Sequence, residues 1–169
     1  LGDVYKRQGS RLVRQDYAVT LRRIAAEGSS ILYKGPLGRI VTDCLQAAGG
    51  VMSAADLGNY ATVRREPIRA AYRGHDIIGP PPPASSGVHI AQMLNILEGF
   101  DIGAMGFGSP DACHLLAEAL KIAFADRAVA TADPAFVNVP VERLISKTYA
   151  EERRSAIRMD RAQDWGPGI

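Results

Sequence analysis

Apolar positions recur with a helical period along most of the chain and with a strand period in one short stretch. From Gln15, the residues Ala18, Leu21, Ile24 and Ala25 share one face, Asp16 offers a cap and Gly28 stops the run, which predicts a helix. A second helix is predicted from Pro36, with Leu37, Ile40, Val41, Cys44, Leu45 and Ala48 on its apolar side and Gly49-Gly50 at its end. Ser53-Ala54-Ala55-Asp56 reads as a capping box with Asp in place of Glu, opening one turn through Asn59. A helix opens near Val88 with Ile90, Met93, Leu94 and Leu97 as its buried stripe, and Gly99 ends it. Ser109-Pro110-Asp111 starts the longest helix, to about Ala130. Cys113, Leu116, Leu120 and Phe124 form its apolar side, and Glu118 pairs with Lys121 on another. Pro140 to Ile145 predicts a short helix, and Ser146 caps a last one through about Met159.

The period changes at Pro67 to Tyr72 and at His75 to Gly79, two short runs around Arg73-Gly74. They predict a β-hairpin with Gly supplying the positive φ of the turn. A lone hairpin needs a covering layer, and that layer is expected outside this chain. Pro80 to Pro83 then holds the backbone extended, and Phe100 to Gly108 reads as a loop. The fold class is α+β: five or six helices and one hairpin, with no internal repeat.

Composition narrows the function classes. The chain has 169 residues, suited to one ordinary domain, and 47% of them are hydrophobic, which excludes disorder of the whole chain. The net charge is +2, with 16 Arg and 4 Lys, a balance that points to neither a nucleic acid nor an acidic membrane partner. No apolar run approaches the roughly 20 residues of a membrane span. Cys44 and Cys113 make no disulfide framework and no Cys-x-x-Cys pair. The chain starts without Met and stops at the turn signal Gly166-Pro167-Gly168-Ile169, so both ends read as interior to a longer protein.

Candidate chemistry is sparse. Ser85, Ser86 and His89 suggest a nucleophile and its base, but three-residue spacing across a helix entry favours a capping Ser, and no Gly-x-Ser-x-Gly elbow is present. His75, His89 and His114 lack metal-ligand spacing, and Cys113 and His114 lie about 100° apart on a helix. Glu118, Lys121, Asp126 and Arg127 read as a solvated or inter-segment salt-bridge face before an acid–base array. Gly103, Gly106 and Gly108 do not match a phosphate loop, and Asp101 and Asp133 lack the acidic neighbours of a calcium loop. No catalytic, cofactor-binding or metal residue is assigned, and no cofactor is expected.

The order of the signals is more specific than any one of them. Gln15-Asp16-Tyr17-Ala18 and Tyr33-Lys34-Gly35 are followed by Gly49-Gly50, Asp56-Leu57 and Arg65-Glu66-Pro67. Pro81-Pro82-Pro83-Ala84-Ser85-Ser86-Gly87-Val88-His89 then leads into Gln92 to Gly99, with Ala125-Asp126-Arg127, Asp133-Pro134 and Val139-Pro140-Val141 beyond. From about Gly9 to Gly168 this series resembles the γ-glutamyltranspeptidase (glutathione hydrolase) family. It departs at Ala84-Ser85-Ser86-Gly87, where the family more often has two Ser and two Gly after three Pro. Leu1 to Gln8 does not fit the pattern and is expected to be a non-native leader, leaving residues 9–169 as a partial large-subunit domain.

The resemblance implies an N-terminal-nucleophile hydrolase, a four-layer αββα sandwich whose precursor cuts itself into a large and a small subunit. The small subunit's new N-terminal Thr attacks a γ-glutamyl amide, as in glutathione, with its own α-amine as base. Water or an amino acid or peptide acceptor then takes the γ-glutamyl group. This chain would be the C-terminal part of the large subunit and inactive alone. Its partners would be the rest of that subunit, the small subunit and a small γ-glutamyl substrate. The Thr would lie past Ile169 and the substrate-binding Arg upstream, so no catalytic role transfers to a residue here. Family members are commonly periplasmic or extracellular. A relative with another acyl preference, such as a cephalosporin-acylase-like enzyme, is the alternative within the fold. A stand-alone, non-catalytic helical interaction domain is the alternative outside it.

Overall fold

The computed structural model describes residues 8–169, so all but the last residue of the expected leader lies outside the described residues. The chain forms two compact units, one up to Val63 and the other Arg64–Ile169.

The first unit holds α1 (Gln15–Glu27), α2 (Ser30–Tyr33), α3 (Pro36–Ala47) and α4 (Ala54–Gly58). The short α2, which no apolar run announces, is the centre: α1, α3 and α4 all pack on it. Pro36 takes the first position of α3 as expected. A Cβ on Gly38 would collide with the Leu32 carbonyl, so glycine lets α3 approach the end of α2. The capping box forms: Ser53 N–H donates to Asp56 Oδ2 at 2.7 Å, and Asp56 N–H donates to Ser53 Oγ at 3.3 Å. The Ser53 N–H and the Ser53 hydroxyl, which donates to the same Oδ2 at 2.8 Å, hold the Asp56 carboxyl below the usual carboxylate range. Asp16 lies inside α1 rather than at its cap, and Arg14 precedes the helix without a side-chain bond.

The apolar stripes of this unit run where the sequence places them, but they are not buried here. Ile40, Val41, Cys44 and Leu45 are exposed, and α1 buries no residue. The buried positions of α3 are Gly38 and Thr42, along the edge of that stripe.

The second unit holds β1 (Ile68–Tyr72), β2 (His75–Gly79), α5 (Ser86–Leu97), α6 (Ile102–Met105), α7 (Pro110–Ala130), α8 (Val141–Leu144) and α9 (Lys147–Ser155). The hairpin is antiparallel, with Ile68 opposite Gly79 and Tyr72 opposite His75. Arg73 and Gly74 both have positive φ, 47° and 80°, as a two-residue primed turn requires. Arg73 carries that geometry because its N–H donates to Glu98 Oε1 at 2.8 Å and its guanidinium to the Phe100 carbonyl at 2.6 Å.

The hairpin's covering layer is partly in this chain, which corrects the sequence expectation. α5 packs on both strands, Ile68 is buried, and Ile78 on the other face stays exposed. The approach is close: a Cβ on Gly87 would run into the Pro80 carbonyl.

α5 is the hub, with α7, α8, α9 and the hairpin around it. One apolar cluster joins Ile68, Val88, Ala91, Ala130, Leu144 and Tyr149. The other joins Ile96, Leu97, Leu115, Ala119, Ile122 and Ala150.

Ser109 and Ser146 cap α7 and α9 as expected, accepting from Ala112 N–H and Tyr149 N–H at 3.1 Å. α9 ends at Ser155, short of Met159, because the Gln163 side chain meets the freed backbone there: it donates to the Ala156 carbonyl and accepts from Arg158 N–H. The expected loop at 100–108 contains α6, capped by Asp101, whose Oδ1 accepts from Ala104 N–H at 3.1 Å.

Two stripes are misplaced by the sequence reading. The buried face of α5 is Val88, His89, Ala91, Gln92, Asn95, Ile96 and Leu97, and Ile90 is exposed. The buried face of α7 is Leu115, Glu118, Ala119, Ile122, Ala123, Asp126 and Ala130. Its expected apolar side is open instead: Cys113 is exposed, and Leu116, Leu120 and Phe124 are 49%, 37% and 57% exposed. α7 is apolar nearly all round, so period alone cannot choose which side its own chain covers.

Candidate functional site

The chemistry of the second unit is concentrated on the buried faces of α5 and α7. Asp126, fully buried, is its centre. Its Oδ2 accepts from Gln92 Nε2 at 2.6 Å and from the Tyr149 hydroxyl at 2.7 Å. Its Oδ1 accepts from Gly168 N–H at 2.8 Å, with the Arg153 guanidinium 3.9 Å away. Burial, and then the bond to the Asp126 carboxylate, drive the Tyr149 phenol far above its ordinary range, so it stays a protonated donor. Gln92 Oε1 faces His89 Nδ1 at 3.0 Å, and His89 Nε2 faces Thr131 Oγ1 at 2.8 Å.

Two turns earlier on α7, buried Glu118 accepts from Lys121, from the Trp165 indole N–H and from Gln163 N–H. Burial alone would raise its pKa, but those three donors outweigh it and hold the carboxyl below its ordinary value. A third cluster ties α5 to α9. Lys147 Nζ donates to Asn95 Oδ1 at 2.6 Å, to the Ala71 carbonyl at 2.7 Å and to Glu98. The bond from Arg73 N–H, then that from Lys147, keeps Glu98 ionised below its usual range.

Together Glu118 and Asp126 hold an irregular strap, residues 163–168, along α7. Lys121 Nζ donates to the Gln163 carbonyl at 2.6 Å, and Arg153 donates to the Gly166 carbonyl at 2.7 Å. Arg153 also lies over the Trp165 ring, 5.2 Å from its centroid.

Folding lowers the Glu118 pKa, so its contribution is full above the ordinary value of 4.5 and is lost as pH falls through the lower folded value. Acid is therefore expected to loosen the strap. Trp165 is the chain's single tryptophan, so its emission reports this directly. The same acid transition in Glu118→Gln would exclude Glu118 as its cause.

The sequence candidates are not assembled into a nucleophilic site. Ser86 is the first residue of α5 rather than its cap, and Ser85, at the cap position, makes no capping bond and accepts from Arg127 Nε at 3.1 Å, which corrects the capping expectation. His89 is turned into the core toward Gln92 and Thr131, not toward a serine. His114 Nε2 lies 2.9 Å from the Arg158 carbonyl oxygen, and His75 is at the hairpin turn, exposed. Glu118 and Asp126 are buried rather than solvated, and the inter-segment pairing that the sequence also offered is the one found for Asp126, which faces Arg153 of α9 and not Arg127. Asp133 pairs with Arg65 at 3.1 Å and accepts from Ala135 N–H. Among the described residues no group of three His, Cys, Asp or Glu is placed to hold a metal, and no helix is long and apolar enough to cross a membrane. Gly103, Gly106 and Gly108 line an apolar groove of about 650 Å³ with Tyr72, Phe107 and Leu116, beside the open stripe of α7.

Gln92, Asn95, Tyr149, Arg153 and Trp165 were not among the sequence candidates. A signal existed for two of them. Val88, Ala91, Gln92, Asn95 and Ile96 obey the i, i+3, i+4, i+7, i+8 pattern, with two amides at positions the pattern buries.

The gamma-glutamyltranspeptidase family model matches residues 2–167. The chain belongs to the gamma-glutamyltranspeptidase family. It is 68% identical over 161 residues to the acylase ACY 1 proenzyme of Pseudomonas sp. (strain V22), covering 95% of this chain and 29% of that protein. It is 41% identical over 157 residues to the glutathione hydrolase proenzyme of Escherichia coli (strain K12), covering 93% of this chain and 27% of that protein. Its fold superposes on the gamma-glutamyltranspeptidase of Pseudomonas nitroreducens, solved as a complex with L-DON, with a TM-score of 0.88 and 32% identity, over 95% of this chain and 49% of that one. The chain thus spans less than a third of the length of these curated relatives. The family is one of enzymes, and the described residues are mostly helical with one two-stranded antiparallel sheet.

Proposed function

We propose that the chain is part of the large subunit of a self-cleaving gamma-glutamyltranspeptidase-family amide hydrolase, and that its acyl preference is that of an acylase. The observation that carries the second half is the difference in identity over nearly the same residues: 68% to an acylase proenzyme against 41% to a glutathione hydrolase proenzyme. This reverses the order of the two enzyme readings drawn from sequence.

In this reading the helices flank the inner sheets of an αββα sandwich, and the rest of the same precursor covers the open stripe of α7. The nucleophile is the N-terminal Thr of the small subunit, outside this chain. Its hydroxyl adds to the amide carbonyl, the C–N bond breaks, and the amine leaves with the hydroxyl proton through the Thr α-amine. Water then cleaves the ester, giving the carboxylic acid and restoring the hydroxyl. The assembled enzyme acts on a small acyl amide in the periplasm or outside the cell.

The second reading is γ-glutamyl transfer to water or to an amino acid or peptide, favoured by the match to the glutathione hydrolase of Escherichia coli. The two separate on one substrate pair: a γ-glutamyl anilide and the same anilide lacking the α-amine. The full precursor is expected to hydrolyse the amine-free anilide at least as fast, and the isolated 169-residue chain neither. Cleavage of the γ-glutamyl anilide alone would select the second reading. Turnover by the isolated chain would remove both.

A further inference from the structure

A chain segment without secondary structure is usually loosely held unless something ties it down. The strap 163–168 is tied by two carboxylates from the interior of α7, Glu118 and Asp126, which are 1% and 0% exposed. Burying a carboxylate is costly, and an apolar side chain of similar size often stabilises a core equally well. What a buried acceptor adds is placement. Glu118 fixes Gln163 N–H and the Trp165 indole, and Asp126 fixes Gly168 N–H, so the strap is pinned at both ends. Arg153 and Arg143 hold the intervening carbonyls, at 2.7 Å to Gly166 and 3.3 Å to Gly168. A Cβ on Gly168 would meet the Tyr149 hydroxyl and the Arg153 side chain, so any other residue there would have to displace the groups that hold the strap to α9.

We propose that Glu118 and Asp126 are positioning residues for self-cleavage of the precursor: by pinning the strap they set the path of the chain toward the bond that is cut. This rests on the reading above, in which that bond lies downstream of Ile169. The reaction is hydrolysis of one peptide bond. Its C–N bond breaks, water gives a hydroxyl to the new carboxyl group, and a proton goes to the new α-amine. Neither carboxylate touches the reacting atoms. Asn or Gln cannot replace them without loss, because every group facing them is a donor and an amide places its own NH₂ against one.

The test compares the full precursor with its Glu118→Gln and Asp126→Asn variants and with Glu98→Gln. Glu98 is also paired to a lysine but touches nothing in the strap. Conversion to two subunits is followed over time, together with hydrogen exchange of the Gly168 amide and Trp165 emission. The two strap variants are expected to convert at least tenfold more slowly, with faster exchange at Gly168, while Glu98→Gln converts at the parent rate. If Asp126→Asn does not fold, Glu118→Gln decides. A loosened strap with unchanged conversion would overturn the proposal, and so would an unloosened strap. A parent precursor that purifies intact and never converts removes the self-cleaving reading itself, and the positioning role with it.

Discussion

Replacing Asp126 by Ala is expected to cost the second unit about 3–5 kcal/mol, the range for breaking a buried charge network by deleting one partner. The size follows from what is left behind. Gln92 Nε2, the Tyr149 hydroxyl and Gly168 N–H all donate to Asp126; Gln92 and Tyr149 are buried and Gly168 is part-buried. Each stranded buried donor costs about 1–3 kcal/mol. Arg153 adds a charge whose guanidinium lies 3.9 Å from the lost carboxylate. A domain is stable by only about 5–15 kcal/mol, so the loss takes a large share of the total. Chemical denaturation followed by circular dichroism measures it. A loss below about 1 kcal/mol would show that the donors find other partners. A second variant, Tyr149→Phe, removes one donor and keeps the ring, and is expected to cost much less than Asp126→Ala. Equal losses would place the energy in the single bond between the Tyr149 hydroxyl and Asp126.

The same residues explain how much of the molecule is legible in its sequence. Boundaries set by local chemistry are: the Ser109 and Ser146 caps, the Ser53–Asp56 box and Pro36 at its helix start all act within a few residues of themselves. Choices that depend on what lies opposite are not. α7 carries two usable faces, an Ala-rich one with Glu118 and Asp126 and an apolar one with Leu116, Leu120 and Phe124. Hydropathy favours the second, but α5 packs on the first, where small side chains permit close approach and the carboxylates find donors from α5, α9 and the strap. The buried network was hidden for the same reason. An Asp, a Gln and a Tyr scattered between positions 92 and 149 carry no common motif, and only the packing of three helices makes them neighbours. The catalytic reading, by contrast, came from the order of motifs, and the family match supports the family without placing a nucleophile on any residue of this chain.

The open face of α7 gives an effect whose sign depends on context. Leu116→Glu with Leu120→Lys replaces two exposed leucines by an i, i+4 pair in the favourable order. In the isolated chain both positions face water, so the pair is expected to change stability by no more than about 0.5 kcal/mol. It is also expected to reduce self-association, because it breaks a contiguous apolar surface that runs from the groove beside Phe107 to Phe124. Size-exclusion chromatography of the two isolated chains shows this as a shift toward monomer. In the full precursor the opposite is expected. If the remaining chain covers this face, each leucine contributes about 1.5–3 kcal/mol there, and the pair adds two charges to a buried contact. Soluble precursor and its conversion to subunits should then both fall sharply. A precursor that tolerates the double change would mean that the face stays exposed in the whole protein. The stripe would then not mark the junction with the rest of the proposed enzyme.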